Sequence, residues 1–297
     1  MLFGRPALKR TITYHLIIII LLVFPVKLWA GSEISRQFIE ERLIDKGMDK
    51  SQAQSMVGDS RISTQQDIVI LNLFHSAPQG AEKQPNVMDI DARSIRKGKF
   101  FIKENKETLS SVEQRFGTSP QIITAILIVE SKLGTYPMRY NVVTAYTNLA
   151  SLLNPDYFGE MQKKYADVYP QLNDEETIKK AKSKAQWALD ELYHLAYLAN
   201  ELKIDPLSIM GSFSGAIGPA QFIPSTFRSF GIDGDEDGIR NPLNMRDAKA
   251  SIGNYLKNSG WSEEAPLETK RNAIWQYNHS QVYVNTIMLL YDELGRE

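Results

Sequence analysis

The chain has 297 residues, of which 43% are hydrophobic, with a formal net charge of −1 and no cysteine. This length and apolar content are enough for a large buried core, in one domain or in two closely packed ones. The absence of cysteine excludes a disulfide framework and a lipidated N-terminal thiol. It is compatible with export to an oxidising space without covalent cross-links.

The first thirty residues have the order of a secretory signal peptide. Three basic residues precede the apolar run Leu16–Phe24, and small residues follow at Ala30 and Gly31. We therefore predict a signal peptide over residues 1–30, with an uncleaved N-terminal anchor as the alternative, although the run is short for a membrane span. Its removal would leave 30 basic and 35 acidic residues, a net charge of −5. That charge argues against a nucleic-acid-binding protein.

The rest of the chain has the patterning of a mainly α-helical protein. Helical spacing of apolar residues covers 33–57, with a break at Gly47, then 92–116 and, most clearly, 174–203. Residues 76–90 are rich in proline, glycine and glutamine, which predicts an extended surface connection. Strand signals are few, so we predict a mainly α fold.

One predicted helix carries a single acid after a long apolar run. Ser119 suits the N-cap and Pro120 the first helical position, and the uncharged run Ile122–Val129 leads to Glu130. A carboxyl group beside Ile126 on the same helix face would lose hydration. Its pKa would then rise toward neutrality, which suits a general acid. In the alternative interpretation, Glu130 begins a solvated helix end, and its position alone favours that alternative.

A glycine-rich loop, residues 211–224, has the sequence GSFSGAIGPAQFIP. Glycine allows a tight turn or a close approach of the backbone to a ligand. Beside a cleft, such a loop could present Ser212 and Gln221 as hydrogen-bonding groups and Phe222 as an apolar wall. The alternative is a structural turn between two helices.

An acidic turn follows the glycine-rich loop. Asp233, Asp235 and Asp237, with Gly238, match positions 1, 3, 5 and 6 of an EF-hand calcium loop. The twelfth position is Asn244, which cannot supply the bidentate glutamate that completes such a site. The pattern therefore predicts a weak structural Ca²⁺ site, with a solvated turn as the alternative.

The last informative run, residues 274–283, has the sequence IWQYNHSQVY and contains Tyr277, Asn278 and Tyr283. Aromatic faces next to amide and hydroxyl groups suit a sugar ring, which is apolar on one face and hydroxylated at its rim. Aromatic residues at helical spacing also occur in ordinary cores, which is the alternative. Tyr277 and Tyr283 can line one cleft only if a break separates them along the helix.

In chain order, the acid in IVES, the loop GSFSGAIGPAQFIPS, the turn DGDEDG, then SIGNYLKNSGW and YNHS resemble lytic murein transglycosylases of the membrane-bound type B family. The resemblance extends over most of the chain from about residue 36. It implies a lysozyme-like α-helical fold with an inserted calcium-loop-like turn, and a periplasmic location. The implied reaction cleaves the β-1,4 bond between N-acetylmuramic acid and N-acetylglucosamine of peptidoglycan and leaves a 1,6-anhydro sugar.

The resemblance also implies roles for particular residues. The catalytic acid of the family matches Glu130, and the substrate contacts match Ser212, Gln221, Phe222, Tyr277, Asn278 and Tyr283. Beyond an insertion over 154–182, Lys184 and Trp187 lie where the family has an arginine and an aromatic residue. The metal ligands, if any, are Asp233, Asp235 and Asp237.

A single acid can be sufficient for this reaction, whereas ordinary glycosidases use two carboxyl groups. If the N-acetyl oxygen of the substrate attacks the anomeric carbon, no second carboxylate is needed. No cofactor is then expected apart from a structural Ca²⁺. The expected partners are peptidoglycan strands and proteins of cell-wall synthesis or remodelling. The alternative functions are a hydrolytic muramidase and a non-catalytic peptidoglycan-binding protein.

Overall fold

Helices make up most of the described chain, which is residues 35–74 and 86–296 of a computed structural model. In these ranges the α-helices are α1 Arg36–Asp45, α2 Lys50–Val57, α3 Gln66–Phe74, α4 Ala92–Glu104, α5 Lys106–Phe116, α6 Pro120–Ser131, α7 Val142–Ala150, α8 Pro155–Tyr165, α9 Glu175–Leu202, α10 Pro224–Phe230, α11 Met245–Asn258, α12 Leu267–Tyr277 and α13 Gln281–Gly295. Two short strands, β1 Tyr140–Asn141 and β2 Met210–Gly211, pair antiparallel. The mainly α prediction is confirmed.

Most of the helical segments predicted from the sequence are present. The described part of the predicted stretch 33–57 forms α1 and α2 with the break at Gly47, and the stretch 174–203 forms the 28-residue helix α9. Residues 92–116, predicted as one helical stretch, form two helices instead. The backbone leaves helical geometry at Asn105, with φ −109° and ψ 21°. The signal peptide and residues 76–85 of the predicted connection lie outside the described residues.

The acid-bearing helix α6 lies in the core, packed by α4, α5, α11 and α13. Five of its apolar residues are fully buried: Ile122, Ile123, Ala125, Ile126 and Leu127. Burying one such isoleucine or leucine side chain contributes about 1.5–3 kcal/mol, so this helix is firmly fixed. Pro120 is at the first helical position as predicted. Ser119 occupies the N-cap, but its hydroxyl makes no capping hydrogen bond, contrary to expectation.

The long helix α9 packs along α7 and α10. Its predicted apolar seam is buried over most of its length, at Ala181, Ala185, Ala188, Leu192, Leu195 and Ala199. The 154–182 insertion forms α8, the 3₁₀ turn Pro170–Asn173 and the start of α9. It has its own buried anchors, Met161 and Leu172.

The glycine-rich loop begins in strand β2, so the β1–β2 pair fixes one of its ends. Within the loop, isolated antiparallel bridges join Gly211 to Ile217 and Ile217 to Phe222. The chain then enters α10, whose first turn is held by the buried Glu191 of α9. This carboxylate accepts hydrogen bonds from the Ser225 hydroxyl at 2.6 Å and from the Ser225 N–H at 2.9 Å. The loop is therefore anchored at both ends.

In the ranges the structure describes, every helix is too short or too polar to cross a bilayer.

Candidate active site

Glu130 lies in the last turn of α6, and its carboxyl group is in contact with Tyr283 of α13. The Tyr283 hydroxyl donates a hydrogen bond of 2.6 Å to Oε1 of Glu130. Burial raises the pKa of Glu130 from 4.5 to about 7, although this hydrogen bond acts in the opposite direction. Ser131, the next residue, is fully buried. Glu130 itself is half-buried, so the helix does not become solvated at Glu130, and exposure begins at Lys132.

The aromatic residues Tyr277 and Tyr283 come together because the helix breaks between them. Helix α12 ends at Tyr277 and α13 begins at Gln281, which places the two rings 6.4 Å apart and nearly parallel, at 8°. Tyr277 donates a hydrogen bond of 2.6 Å to the carbonyl oxygen of Ala220. The ring of the buried Phe222 lies 5.3 Å from that of Tyr277. The break that a shared cleft would require is present, and Tyr277 contacts the glycine-rich loop.

Tyr255 of α11 completes this aromatic group, and the sequence analysis missed it. Its ring lies 5.0 Å from Tyr277, 5.7 Å from Phe222 and 4.9 Å from Phe230. A single tyrosine in an amphipathic helix carries no local signal of a site. Asn278 is exposed at the end of α12, directly after Tyr277. The group is therefore a packed aromatic wall with a polar residue at its exposed end.

Ser212 and Gln221 occupy two turns of the glycine-rich loop. Oγ of Ser212 accepts hydrogen bonds from the N–H groups of Ser214, at 3.3 Å, and Ala216, at 3.1 Å. Because these donors take its acceptor positions, the Ser212 hydroxyl retains its proton for a ligand. Gln221 has a left-handed backbone, φ +49°, and its Nε2 donates to the carbonyl oxygen of Gly218 at 2.9 Å.

Trp187 packs against Tyr146, and Tyr146 contacts the glycine-rich loop. The sequence analysis also missed Tyr146. Tyr146 donates a hydrogen bond of 3.0 Å to the carbonyl oxygen of Gly215, and its ring lies 5.5 Å from that of Trp187. A Cβ on Gly215 would lie 2.1 Å from the Tyr146 ring, so this approach requires glycine. Nζ of Lys184 lies 4.6 Å from the centre of the Trp187 ring, and burial lowers the pKa of Lys184.

The three aspartates of the acidic turn are close enough to share a cation. One carboxylate oxygen from each of Asp233, Asp235 and Asp237 lies within 4.8 Å of the other two. Oδ1 of Asp235 is buried and has no hydrogen-bond partner among the residues that the structure describes. The amide of Asn244 is engaged elsewhere, since it donates to Oδ2 of Asp235 at 2.6 Å and accepts from the N–H of Arg246 at 2.8 Å as the N-cap of α11.

A fourth carboxylate, Asp247 of α11, lies beneath the acidic turn and was not predicted. It is fully buried and accepts hydrogen bonds from the N–H groups of Gly234, at 2.8 Å, and Asn241, at 2.6 Å. Burial raises its pKa, and the negative charges of Asp235 and Asp233 add to that effect. Asp247 is the fifteenth residue counted from Asp233, so a twelve-residue EF-hand pattern does not reach it.

Comparison with known proteins identifies the family. The family model for the transglycosylase SLT domain matches residues 31–272. Membrane-bound lytic murein transglycosylase B of Escherichia coli K12 is 25% identical over 243 residues, which are 78% of this chain. The chain spans 59% of the length of that relative.

Solved structures share the fold. The soluble lytic transglycosylase SltB1 from Pseudomonas aeruginosa has a TM-score of 0.68 at 23% identity, covering 88% of this chain and 98% of its own. The Escherichia coli lytic transglycosylase Slt35 in complex with calcium has a TM-score of 0.69 at 20% identity, covering 89% and 95%. SltB3 from Pseudomonas aeruginosa in complex with NAG-anhNAM-pentapeptide has a TM-score of 0.67 at 18% identity, covering 89% and 80%. The lysozyme-like α-helical fold predicted from the sequence is thereby confirmed. Since the family model matches most of the chain, the protein belongs to the transglycosylase SLT domain family.

Proposed function

We propose that the protein is a lytic transglycosylase that cleaves the β-1,4 bond between N-acetylmuramic acid and N-acetylglucosamine and forms a 1,6-anhydromuramyl product. The main support is the carboxyl group of Glu130, whose pKa of about 7 makes it a proton donor near neutral pH. In the described part of the chain, no acidic neighbour contributes to that shift. One isolated acid suits a mechanism that does not use a second carboxylate.

In the proposed reaction, Glu130 first donates its proton to the glycosidic oxygen as the bond to the anomeric carbon breaks. The N-acetyl oxygen of the substrate attacks that carbon. The 6-hydroxyl oxygen then attacks the anomeric carbon and closes the anhydro ring, while the bond from that carbon to the N-acetyl oxygen breaks. The Glu130 carboxylate takes the proton of the 6-hydroxyl. The Tyr283 hydroxyl stabilises the carboxylate formed between the two steps, since a hydrogen bond to the charged form favours it.

We assign substrate contacts to the loop and to the aromatic wall. Ser212 would orient the N-acetyl group with its hydroxyl proton, and Gln221 would supply an amide at the same loop. The half-buried ring of Tyr277 would offer its apolar face to a sugar ring, backed by the buried rings of Phe222 and Tyr283 and with Asn278 at the exposed end. The structure of the related SltB3 was determined in complex with NAG-anhNAM-pentapeptide, a compound whose name contains an anhydro sugar.

We further propose a structural Ca²⁺ at the acidic turn, with Asp233, Asp235 and Asp237 as ligands and Asp247 as a supporting fourth charge. The unpartnered, buried Oδ1 of Asp235 supports this assignment, because a buried charged oxygen without a partner is costly. Hard oxygen ligands suit calcium. The structure of the relative Slt35 was determined in complex with calcium. The bound ion would neutralise the crowded carboxylates.

We also propose a periplasmic location, which is supported by the sequence order of residues 1–30 and by the similarity to a lytic murein transglycosylase. The signal peptide and protein partners in cell-wall synthesis or remodelling stay predictions.

Mass spectrometry of peptidoglycan fragments after digestion tests the proposed function. Anhydro ends are expected from the wild type and none from Glu130→Gln. Glu263→Gln is the matched control, because Tyr291 donates a 2.6 Å hydrogen bond to Glu263, as Tyr283 does to Glu130. The Glu263→Gln variant should remain active. Reducing ends would show a hydrolytic muramidase, and binding without cleavage would show a peptidoglycan-binding protein.

A further inference from the structure

Asn72 is a buried amide in the otherwise apolar second half of α3, and it holds the glycine-rich loop. Asn72 is 4% exposed. Its neighbours in the second half of the helix, Ile70, Leu71, Leu73 and Phe74, are all apolar. Nδ2 donates to the carbonyl oxygens of Ile68, at 2.9 Å, and Phe213, at 3.0 Å. Oδ1 accepts from the Ser214 hydroxyl at 2.9 Å. The two carbonyl partners can only accept, which fixes the orientation of the amide.

The two loop residues that Asn72 holds follow Ser212 directly. The turn closes on Ser212, whose Oγ accepts the N–H groups of Ser214 and Ala216 and whose carbonyl oxygen accepts the N–H of Gly215 at 2.9 Å. Asn72 therefore holds this turn by hydrogen bonds to Phe213 and Ser214. Tyr146 holds it by a hydrogen bond to the carbonyl oxygen of Gly215.

The 154–182 insertion in turn holds α3. The ring of Tyr169 stacks on that of Phe74 at 5.0 Å and 13°. Nζ of Lys164 donates to Oε1 of Gln66 at 2.6 Å, and Nζ of Lys180 donates to the carbonyl oxygen of Leu73. These contacts fix both ends of the helix that carries Asn72.

We propose that Asn72 is a positioning residue for the Ser212 hydroxyl, acting through Phe213 and Ser214, and that the insertion holds α3 in place for this purpose. The inference rests on the proposed function, in which Ser212 orients the N-acetyl group. A displacement of about 1 Å from productive geometry can lower a reaction rate about a hundredfold. The hydrogen bonds of Asn72 can therefore affect the rate by fixing the position of the Ser212 hydroxyl.

A double-mutant cycle between Ser214 and Ser212 tests the inference. Ser214→Ala removes one of the hydrogen bonds to Asn72 and leaves the other. We expect it to lower kcat about tenfold with little change in KM, because a mobile Ser212 turn still admits substrate. In the Ser212→Ala background, Ser214→Ala should cause no further loss. Ser214→Thr, which keeps the hydroxyl, should restore kcat. Additive losses, or an unchanged kcat in Ser214→Ala, would overturn the proposal.

Asn148 provides the matched control for Asn72. It is fully buried, and its amide also makes three hydrogen bonds, to the carbonyl oxygens of Ser63 and Thr144 and from the N–H of Gln65. Asn148→Ala should lower the melting temperature and should lower kcat per folded molecule much less than Asn72→Ala does, because Asn148 holds Gln65 just before α3 and makes no hydrogen bond to the glycine-rich loop among the described residues. Asn72→Ala should lower both. Equal effects of the two variants on kcat would make Asn72 merely structural.

Hydrogen exchange of the backbone amides over 212–216 gives a readout that does not depend on activity. Exchange should be faster in Ser214→Ala than in the wild type, and to a smaller extent in Tyr169→Ala. Unchanged exchange in Ser214→Ala would refute the claim that Asn72 holds the Ser212 turn. Unchanged exchange in Tyr169→Ala would refute the role of the insertion. A wild type that fails to cleave peptidoglycan would refute the proposed function, while the exchange data would still decide whether Asn72 holds the turn.

Discussion

At the scale of single residues, the balance between desolvation and hydrogen-bond donors decides how a carboxyl group titrates. Glu130 and Glu263 each accept a 2.6 Å hydrogen bond from a tyrosine, Tyr283 and Tyr291 respectively. Glu263 also accepts bonds from the indole N–H of Trp261 and the backbone N–H of Ser119, and its pKa is lowered. Glu130 is more deeply buried and accepts one such bond from the described residues, which does not offset its desolvation, so its pKa is raised.

The first prediction concerns the stability cost of ionising Glu130. A carboxyl group whose pKa rises from 4.5 to about 7 on folding stabilises the protein fully below pH 4.5, and this contribution is lost as pH rises through 7. The glutamine of Glu130→Gln does not ionise, so the variant does not lose this contribution. The free energy of unfolding of the variant, relative to that of the wild type, should therefore rise by at most about 3 kcal/mol from pH 4 to pH 8. Chemical denaturation at both pH values measures the difference, and a difference independent of pH would contradict the raised pKa.

The second prediction concerns the Tyr283 hydroxyl, whose hydrogen bond lowers the pKa of Glu130. Tyr283→Phe removes that bond and leaves the ring in place. The pKa of Glu130 should rise further, so the fall of kcat/KM on the alkaline side should move to higher pH than in the wild type. Tyr291→Phe, at the other tyrosine–carboxyl pair, should leave the profile unchanged. A shift toward lower pH in Tyr283→Phe would contradict the assignment of Glu130 as the acid.

At the scale of elements, the break between α12 and α13 places a packed ring next to an exposed amide. Our third prediction is that Asn278→Ala lowers turnover about tenfold or more with little change in melting temperature, because Asn278 is exposed. Tyr277→Ala should lower both quantities, since its ring packs on Phe222, Tyr255 and Tyr283. His279→Ala, at the next exposed position, is the control. A loss of activity in Asn278→Ala that only follows the folded fraction would refute the sugar contact.

The fourth prediction concerns the acidic turn and the start of α11. Calcium should raise the melting temperature, and binding would add about 2.7 kcal/mol when its concentration is a hundredfold above Kd. Asp235→Asn and Asp247→Asn should each reduce this response. Glu236→Gln should not, because Glu236 is an exposed member of the same turn outside the ligand group. A melting temperature that does not respond to millimolar calcium would leave the segment as a turn only.

At the scale of the whole molecule, the sequence predicts what depends on local pattern. The core helix of Glu130 and the seam of α9 follow from spacing along the chain, whereas spacing indicates the break before Gln281 only if Tyr277 and Tyr283 line one cleft. Tyr255 and Asn72 could not be predicted in this way, because each acts on a segment far away in sequence. Asp247 was missed for a related reason, since its position relative to the turn depends on where α11 begins.

The last prediction concerns the place where the glycine-rich loop meets the acidic turn. Gly218 has φ +67°, and a Cβ there would lie 1.9 Å from the carbonyl oxygen of Pro242 in the acidic turn. Gly117 has φ +68°, and a Cβ there would meet nothing within 4 Å. Alanine at either position should cost about 1–2 kcal/mol for the left-handed backbone.

Gly218→Ala should have two further effects, because the methyl group must push the loop and the turn apart. Its calcium-induced rise in melting temperature should be smaller than in the wild type, and its kcat per folded molecule should be lower, since Gln221 follows Gly218 in the same turn. Gly117→Ala should keep both properties. Calorimetry with and without chelator, together with turnover assays on the two variants, measures them. If Gly218→Ala differed from Gly117→Ala in stability alone, calcium binding at the acidic turn would not be coupled to the glycine-rich loop.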